Sequence, residues 1–219
     1  MTANPRTPRR RSRDPPREAR VEIRAGQGSE AVERAGDTTM REWNVVVTSL
    51  PGRLHAHALL ERLAAWGDFR TSEFDDVCVG QVADLDAFFD ALRAADAEGA
   101  AWMHDIGRII PVERAFYFVP GTLSYQFDEA IAPMLERVGG GTFYLRLDRR
   151  GHAGAIDSQR VERELADRVL VLARRRGKNL RTSFEDPDYV IVVEIVGDEC
   201  GVGLITRGLR RSCRLVHPH

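Results

Sequence analysis

The sequence predicts an α+β protein of two domains, and three observations predict it. Between Trp43 and Phe118 the hydrophobic pattern runs strand, helix, strand, strand, helix, strand, which is the split β-α-β order of a ferredoxin-like domain. From Phe143 to Ile205 a second series follows, with a strand, a long helix, an apolar strand and a hairpin return, an α/β unit. Charge is partitioned as well: the net charge of −1 divides into +4 for residues 1–41, −9 for 42–141 and +4 for 142–219. The expected organisation is a disordered basic tail over 1–40, a ferredoxin-like domain over 41–118, an α/β domain over 119–211 and a C-terminal tail over 212–219.

The tail holds Pro5, Pro8, Pro15 and Pro16 among clustered arginines and has no apolar run able to offset the entropy of ordering it. Arg9-Arg10-Arg11-Ser12-Arg13 reads as a basic arm adding non-specific RNA affinity, as a solvated tail with no role, or as the product of a misassigned start with Met40 the true one. No run is apolar enough for a membrane span or a secretory signal. The three cysteines, Cys78, Cys200 and Cys213, are widely spaced and include no Cys-x-x-Cys pair. Both facts fit a cytoplasmic protein.

Within the first domain Trp43 to Thr48 is a strand ended by Pro51-Gly52, and Leu59, Leu63 and Trp66 share one face of a helix stopped by Gly67. Phe69 to Phe74 and Val77 to Val82 are strands joined at Asp75-Asp76. Asp84 caps a helix carrying Leu85, Phe88, Phe89 and Leu92 at i, i+3, i+4, i+7, and a final strand lies within Ile106 to Phe118. Between the domains Thr122 or Ser124 is placed to cap a helix bearing Phe127, Ile131, Leu135 and Val138. Pro133 lies inside it at a cost of about 3 kcal/mol unless the helix kinks.

In the second domain Phe143 to Leu147 alternates as a half-buried strand and is expected to end in the turn Asp148-Arg149-Arg150-Gly151-His152. Asp157-Ser158 caps a helix with Val161, Leu165, Val169 and Leu172 on one face, and Arg174-Arg175-Arg176-Gly177-Lys178 closes it. Val190 to Ile195 is apolar on both faces, and Gly197-Asp198 turns it back into Val202 to Ile205.

This series of strand, basic turn, capped helix and Pro187-Asp188-Tyr189-Val190-Ile191-Val192-Val193-Glu194-Ile195 resembles a THUMP domain, the RNA-binding module of several classes of tRNA-modifying enzymes, over Thr142 to Ile205. Arg108-Ile109-Ile110-Pro111-Val112-Glu113 is similar to the Arg-x-x-Pro-hydrophobic segment that enters this module in stand-alone proteins similar to the tRNA cytidine-acetylation adaptor. The resemblance implies tRNA as a partner, gripped at the acceptor stem and single-stranded 3′ end, and a tRNA-modifying enzyme, an acetyltransferase by subgroup, as a second partner. It also implies a ferredoxin-like domain ahead of the RNA-binding one, in agreement with the pattern.

Chemistry-bearing motifs are sparse. No Gly-x-Gly-x-x-Gly follows a strand, and no phosphate-cradling loop with its lysine or Asn-Pro-Pro-Tyr methylase motif is present. Gly151-His152-Ala153-Gly154 spells the backbone clamp of KH domains but follows a strand, where a plain turn is the ordinary reading. His55 and His57, at i, i+2, diverge on a helix, and Cys213, His217 and His219 lack a fourth ligand and lie on a terminus expected to fray. Glu194 in the apolar strand is an oddity, read as a structural ion pair or a solvent-facing strand end ahead of a catalytic carboxylate. No catalytic group, cofactor or metal is therefore expected.

Arginines gather instead where elements end. Arg146, Arg149, Arg150 and His152 lie on or after the first strand of the module, Arg174, Arg175, Arg176 and Lys178 end its helix, and Arg207, Arg210 and Arg211 follow its last strand. Each group alone complements a helix dipole or aids solubility. Together they are the expected RNA-binding residues, since guanidinium forks bind phosphate bidentately. Tyr144 joins His152 as a candidate stacking group. The function so predicted is a non-catalytic tRNA-binding protein that presents tRNA to a modifying enzyme. The alternative is a protein-interaction subunit docking a basic partner through its acidic first domain, and last comes a small hydrolase using Glu194.

Overall fold

The Val-Val-Val run at the head of β1 (Val45–Ser49) is buried at every position, so this strand is covered on both faces and lies inside its sheet. The computed structural model describes residue 1 and residues 42–50 and 56–218; the expected basic tail, the Pro51-Gly52 turn, His55 and His219 lie outside the described residues. After β1 come α1 (Ala56–Leu63), β2 (Gly67–Thr71), β3 (Val77–Val82), α2 (Leu85–Ala97), a short 3-10 turn and β4 (Ile106–Pro111). Every pairing is antiparallel and the sheet order is β2-β3-β1-β4, the arrangement of a ferredoxin-like domain. Asp84 caps α2 by accepting from the Ala87 N–H, and Phe88, Phe89 and Leu92 bring that helix into the same core as Leu59 and Leu63.

The expected single strand within Ile106 to Phe118 is two strands. β5 (Arg114–Tyr117) leaves the first sheet and pairs antiparallel with β9 (Glu199–Thr206), the last strand of the second sheet. The switch takes two residues: the Val112 N–H donates to the Asn44 carbonyl at 2.7 Å, and the Glu113 N–H donates to the Val202 carbonyl at 2.9 Å. The expected boundary at 118 therefore falls after a strand that already belongs to the second sheet. Close approach here needs glycine. A Cβ on Gly203 would stand 2.3 Å from the Pro111 carbonyl oxygen, a backbone atom that cannot swing aside. Gly203→Ala is expected to lower stability by about 1–3 kcal/mol through overpacking, read as a fall in the denaturant midpoint. A midpoint equal to wild type would show that the strands separate without cost.

The second sheet continues with α3 (Leu123–Arg137), β6 (Gly141–Arg150), α4 (Ser158–Arg175), β7 (Leu180–Thr182), β8 (Tyr189–Val196), β9 and the short α5 (Arg207–Ser212). Its order is β5-β9-β8-β6-β7, with β6 parallel to both of its neighbours. Helices α3 and α4 cover one face, where Phe127, Ile131, Leu165 and Val169 pack on Phe143, Leu145, Ile191 and Val193. The opposite face, with Tyr144, Val190, Val192 and Ile205, packs into the core of the first sheet, and both sheets belong to one compact unit. The pattern apolar on both faces of β8 has this cause.

Three local expectations need correcting. β6 does not turn at Asp148; its parallel pairing carries Arg149 opposite Ile195 and Arg150 opposite Val196. α3 runs through Pro133, where buried Ile131, Met134 and Leu135 hold the turn against the missing hydrogen bond, and the Thr122 hydroxyl donates to the Val119 carbonyl instead of capping. The segment after α5 does not fray: Cys213, Leu215 and Val216 are buried in the first core, and the Ile109 N–H donates to the Leu215 carbonyl at 2.8 Å. Among the described residues no group of three or more His, Cys, Asp or Glu side chains could hold a metal, and no helix is long and apolar enough to cross a membrane.

Candidate nucleic-acid interface

From Thr142 to Arg150 strand β6 covers about 26 Å at the usual rise per residue, so its two ends are separate places. The expected RNA-binding residues divide between them. At the end where β6 and β8 finish, the basic side chains are spent on the protein itself. Arg149 donates through Nε to the Ser158 hydroxyl at 3.3 Å and through a second nitrogen to the Gly151 carbonyl. Arg150 stands 3.5 Å from Asp76 of the first lobe. His152, at a φ of 50°, packs on Phe118 with ring centroids 5.2 Å apart, and its Nε2 lies 3.2 Å from Asp198 Oδ1 without hydrogen-bond geometry. Arg146, in mid-strand, sits 3.6 Å from Asp148 and 3.9 Å from Glu162.

The other end collects the C-terminus of α4, strand β7, the loop 183–188 and α5. The topology forces this, because β6, β7 and β8 are parallel and start there while β9, antiparallel to β8, finishes there. Arg174 and Arg175 project from the last turn of α4, where their charge complements the helix dipole, and they are exposed with no ion-pair partner among the described residues. Arg176 pairs with Glu136 at 3.0 Å, and Lys178 donates to the Glu136 carbonyl at 3.1 Å. Arg181 on β7 is exposed and likewise unpartnered among the described residues; standing alone in a short edge strand, it has no cluster in the sequence to mark it.

Three arginines of α5 converge on one aspartate. Asp186 lies 3.2 Å from Arg207 Nε, 3.4 Å from Arg210 and 2.6 Å from Arg211, while Arg207 also reaches Asp188 at 3.0 Å. Desolvation pushes the Asp186 carboxyl up, but Arg211, Arg207 and Arg210 outweigh it and hold the carboxyl below its ordinary value. Asp188 is held low mainly by the Thr142 N–H and hydroxyl, both donating to it at 2.8 Å. Arg207 and Arg210 also donate to the carbonyls of Asp186 and Pro187, so they brace the loop; Arg211 is the most exposed of the three. The loop in turn displays Phe184, 82% exposed, whose ring centre lies 5.3 Å from that of Tyr144. Its signal in the sequence was an aromatic in a polar segment, Ser183-Phe184-Glu185-Asp186.

Between the two ends lies Glu194, which is buried and accepts from Arg108 at 3.0 Å; the same guanidinium donates to Asp148. The structural ion pair expected for Glu194 is present, and its partner is the arginine of the Arg-x-x-Pro segment. A carboxylate sealed in this way has no access to a substrate.

A family model described as THUMP domain matches residues 126–205. Comparison with curated proteins finds no match. Among solved structures, TrmN from Thermus thermophilus is similar at 18% identity and a TM-score of 0.50 over 74% of this chain and 45% of that one. A 4-thiouridine synthetase in complex with RNA and bound ATP is similar at 14% identity and a TM-score of 0.49, over 75% of this chain and 41% of that one. The THUMP domain of THUMP domain-containing protein 1 matches at 22% identity and a TM-score of 0.33, over 39% of this chain and 83% of that one. This chain spans less than half the length of the first two. With the family match covering the region from α3 to β9, whose parallel strands, capped helix and hairpin are described above, residues 126–205 are a THUMP domain.

Proposed function

We propose that this protein binds tRNA through its THUMP domain and, without catalysis of its own, presents the acceptor stem and 3′ end to a modifying enzyme, by subgroup resemblance a cytidine acetyltransferase. The observation that carries the reading is the end of the second sheet, where Arg174, Arg175 and Arg181, exposed and without a partner among the described residues, stand on a module of the THUMP family. Guanidinium groups with no internal acceptor are available to phosphate, and a handful of such contacts gives micromolar binding that weakens steeply with salt.

The test is a titration with total tRNA across a salt series. Wild type is expected to bind with a steep negative slope of log affinity against log salt. Arg174→Ala, Arg175→Ala and Arg181→Ala combined are expected to reduce the slope by about 3, roughly 1 per lost phosphate contact. Arg149→Ala with Arg150→Ala is expected to change it much less, since those side chains already have partners. A slope unchanged by the triple substitution would remove the interface from this end. The presenting role is checked by reconstituting cytidine acetylation with the enzyme alone and with this chain added; equal turnover would exclude it.

A further inference from the structure

We infer that Phe184 is a stacking platform for one unpaired nucleotide base, with Arg181 and Arg211 placed for the phosphates on either side of it. The inference rests on the tRNA reading and adds to it a residue and the contact that residue makes. A lone exposed apolar side chain is ordinary, but Phe184 differs from the others on this surface in how it is held. The loop that carries it is fastened at both ends. Ser183 N–H donates to the Phe143 carbonyl at 2.9 Å, Asp188 N–H donates to the Thr142 hydroxyl at 3.0 Å, and the Arg207 N–H donates to the Asp188 carbonyl at 2.9 Å. Asp186 takes a φ of 39°, a left-handed conformation that costs a non-glycine residue energy and is kept here by the arginines around it.

The ring therefore projects from a braced loop and has little freedom to fold back onto apolar surface. Tyr144 supports it from one side at an interplanar angle of 59°, with its own hydroxyl 3.2 Å from Glu162, and leaves Phe184 open to solvent on the other. An open aromatic face on the loop that follows exposed Arg181, with Arg211 largely exposed although it pairs with Asp186, fits a single nucleic-acid strand, whose bases stack while its phosphates meet the cations. Bases within a duplex already stack on one another and offer no free face, so the partner at Phe184 is an unpaired nucleotide.

The test uses the full chain, Phe184→Ala and Phe184→Tyr, titrated with total tRNA, with a short single-stranded RNA containing 2-aminopurine, and with a blunt-ended RNA duplex. Phe184→Ala is expected to weaken the single strand and tRNA by about tenfold or more and to abolish the quenching of 2-aminopurine that stacking causes, with the salt slope unchanged. Phe184→Tyr is expected to keep both, and the duplex is expected to bind all three proteins alike. Salt-sensitive tRNA binding that Phe184→Ala leaves intact would overturn the stacking role while sparing the tRNA reading. Absence of tRNA binding by wild type would overturn both. An equal loss on the duplex would also overturn the inference, because it would show damage to the loop and not loss of a stack.

Discussion

Replacing Arg108 by leucine is expected to cost about 3–5 kcal/mol of folding stability, the usual result of removing one member of a buried ion pair. Arg108 is only 1% exposed and its guanidinium lies between Glu194 on β8 and Asp148 on β6. Without the cation Asp148 loses its nearest partner and the buried Glu194 carboxyl loses the donor it accepts from, in a site with little water. The loss comes from abandoned partners and not from the pair's own worth, and this can be separated experimentally. Arg108→Leu combined with Glu194→Leu is expected to recover most of the stability, since Asp148 has Arg146 at 3.6 Å and some exposure. Denaturant midpoints of the four proteins in this cycle give the answer. A single Arg108→Leu chain within about 1 kcal/mol of wild type, at the level of an exposed pair, would show that the cluster is not what joins the lobes.

Stability is also expected to fall as pH rises across the neutral range. Burial pushes the Glu194 carboxyl up to about 8, against the downward pull of Arg108 and with help from the Asp148 charge. One guanidinium serves two carboxylates, and the more deeply buried of them keeps its proton. A folded acid that holds its proton more tightly than the unfolded chain contributes stability that is full below its ordinary value of 4.5 and is lost as pH rises through about 8. The slope is about 1.4 kcal/mol per pH unit at its steepest, so the effect reaches several kcal/mol across the window. Glu194→Gln keeps an acceptor for Arg108 and removes the titration. Its melting temperature is expected to vary much less than that of wild type between about pH 5 and pH 8. Parallel curves for the two proteins would assign the pH dependence to other groups.

Local pattern was enough to read most of the fold. Apolar alternation marked the strands, Asp84 and Asp157 marked the starts of α2 and α4, and Gly197 marked the hairpin, because these signals act within a few residues of their effect. What could not be read depends on partners distant in the chain. The switch of β5 to the second sheet is decided by Val202, and Glu194 is explained by an arginine far upstream. The basic groups show the same division. Composition located them but did not say which already had acceptors: Arg149 and Arg150 are engaged, Arg207 and Arg210 brace a loop, and Arg174 and Arg175 have no acceptor among the described residues. Phe184, an aromatic in a short polar loop, has no periodicity to mark it.

The strand switch at Val112 and Glu113 has a consequence for synthesis of the chain. The first lobe is encoded early, yet β5 directly behind it waits for β9, Arg108 waits for Glu194, and the outer side of β4 is closed by Leu215. A ribosome that has just completed the first lobe therefore holds a sheet with an open edge and an unmatched buried arginine, and these are resolved only after Leu215 and Glu194 have emerged. Such long-range closure makes for slow, all-or-none folding. A product that stops before β9 would have no folded half to fall back on.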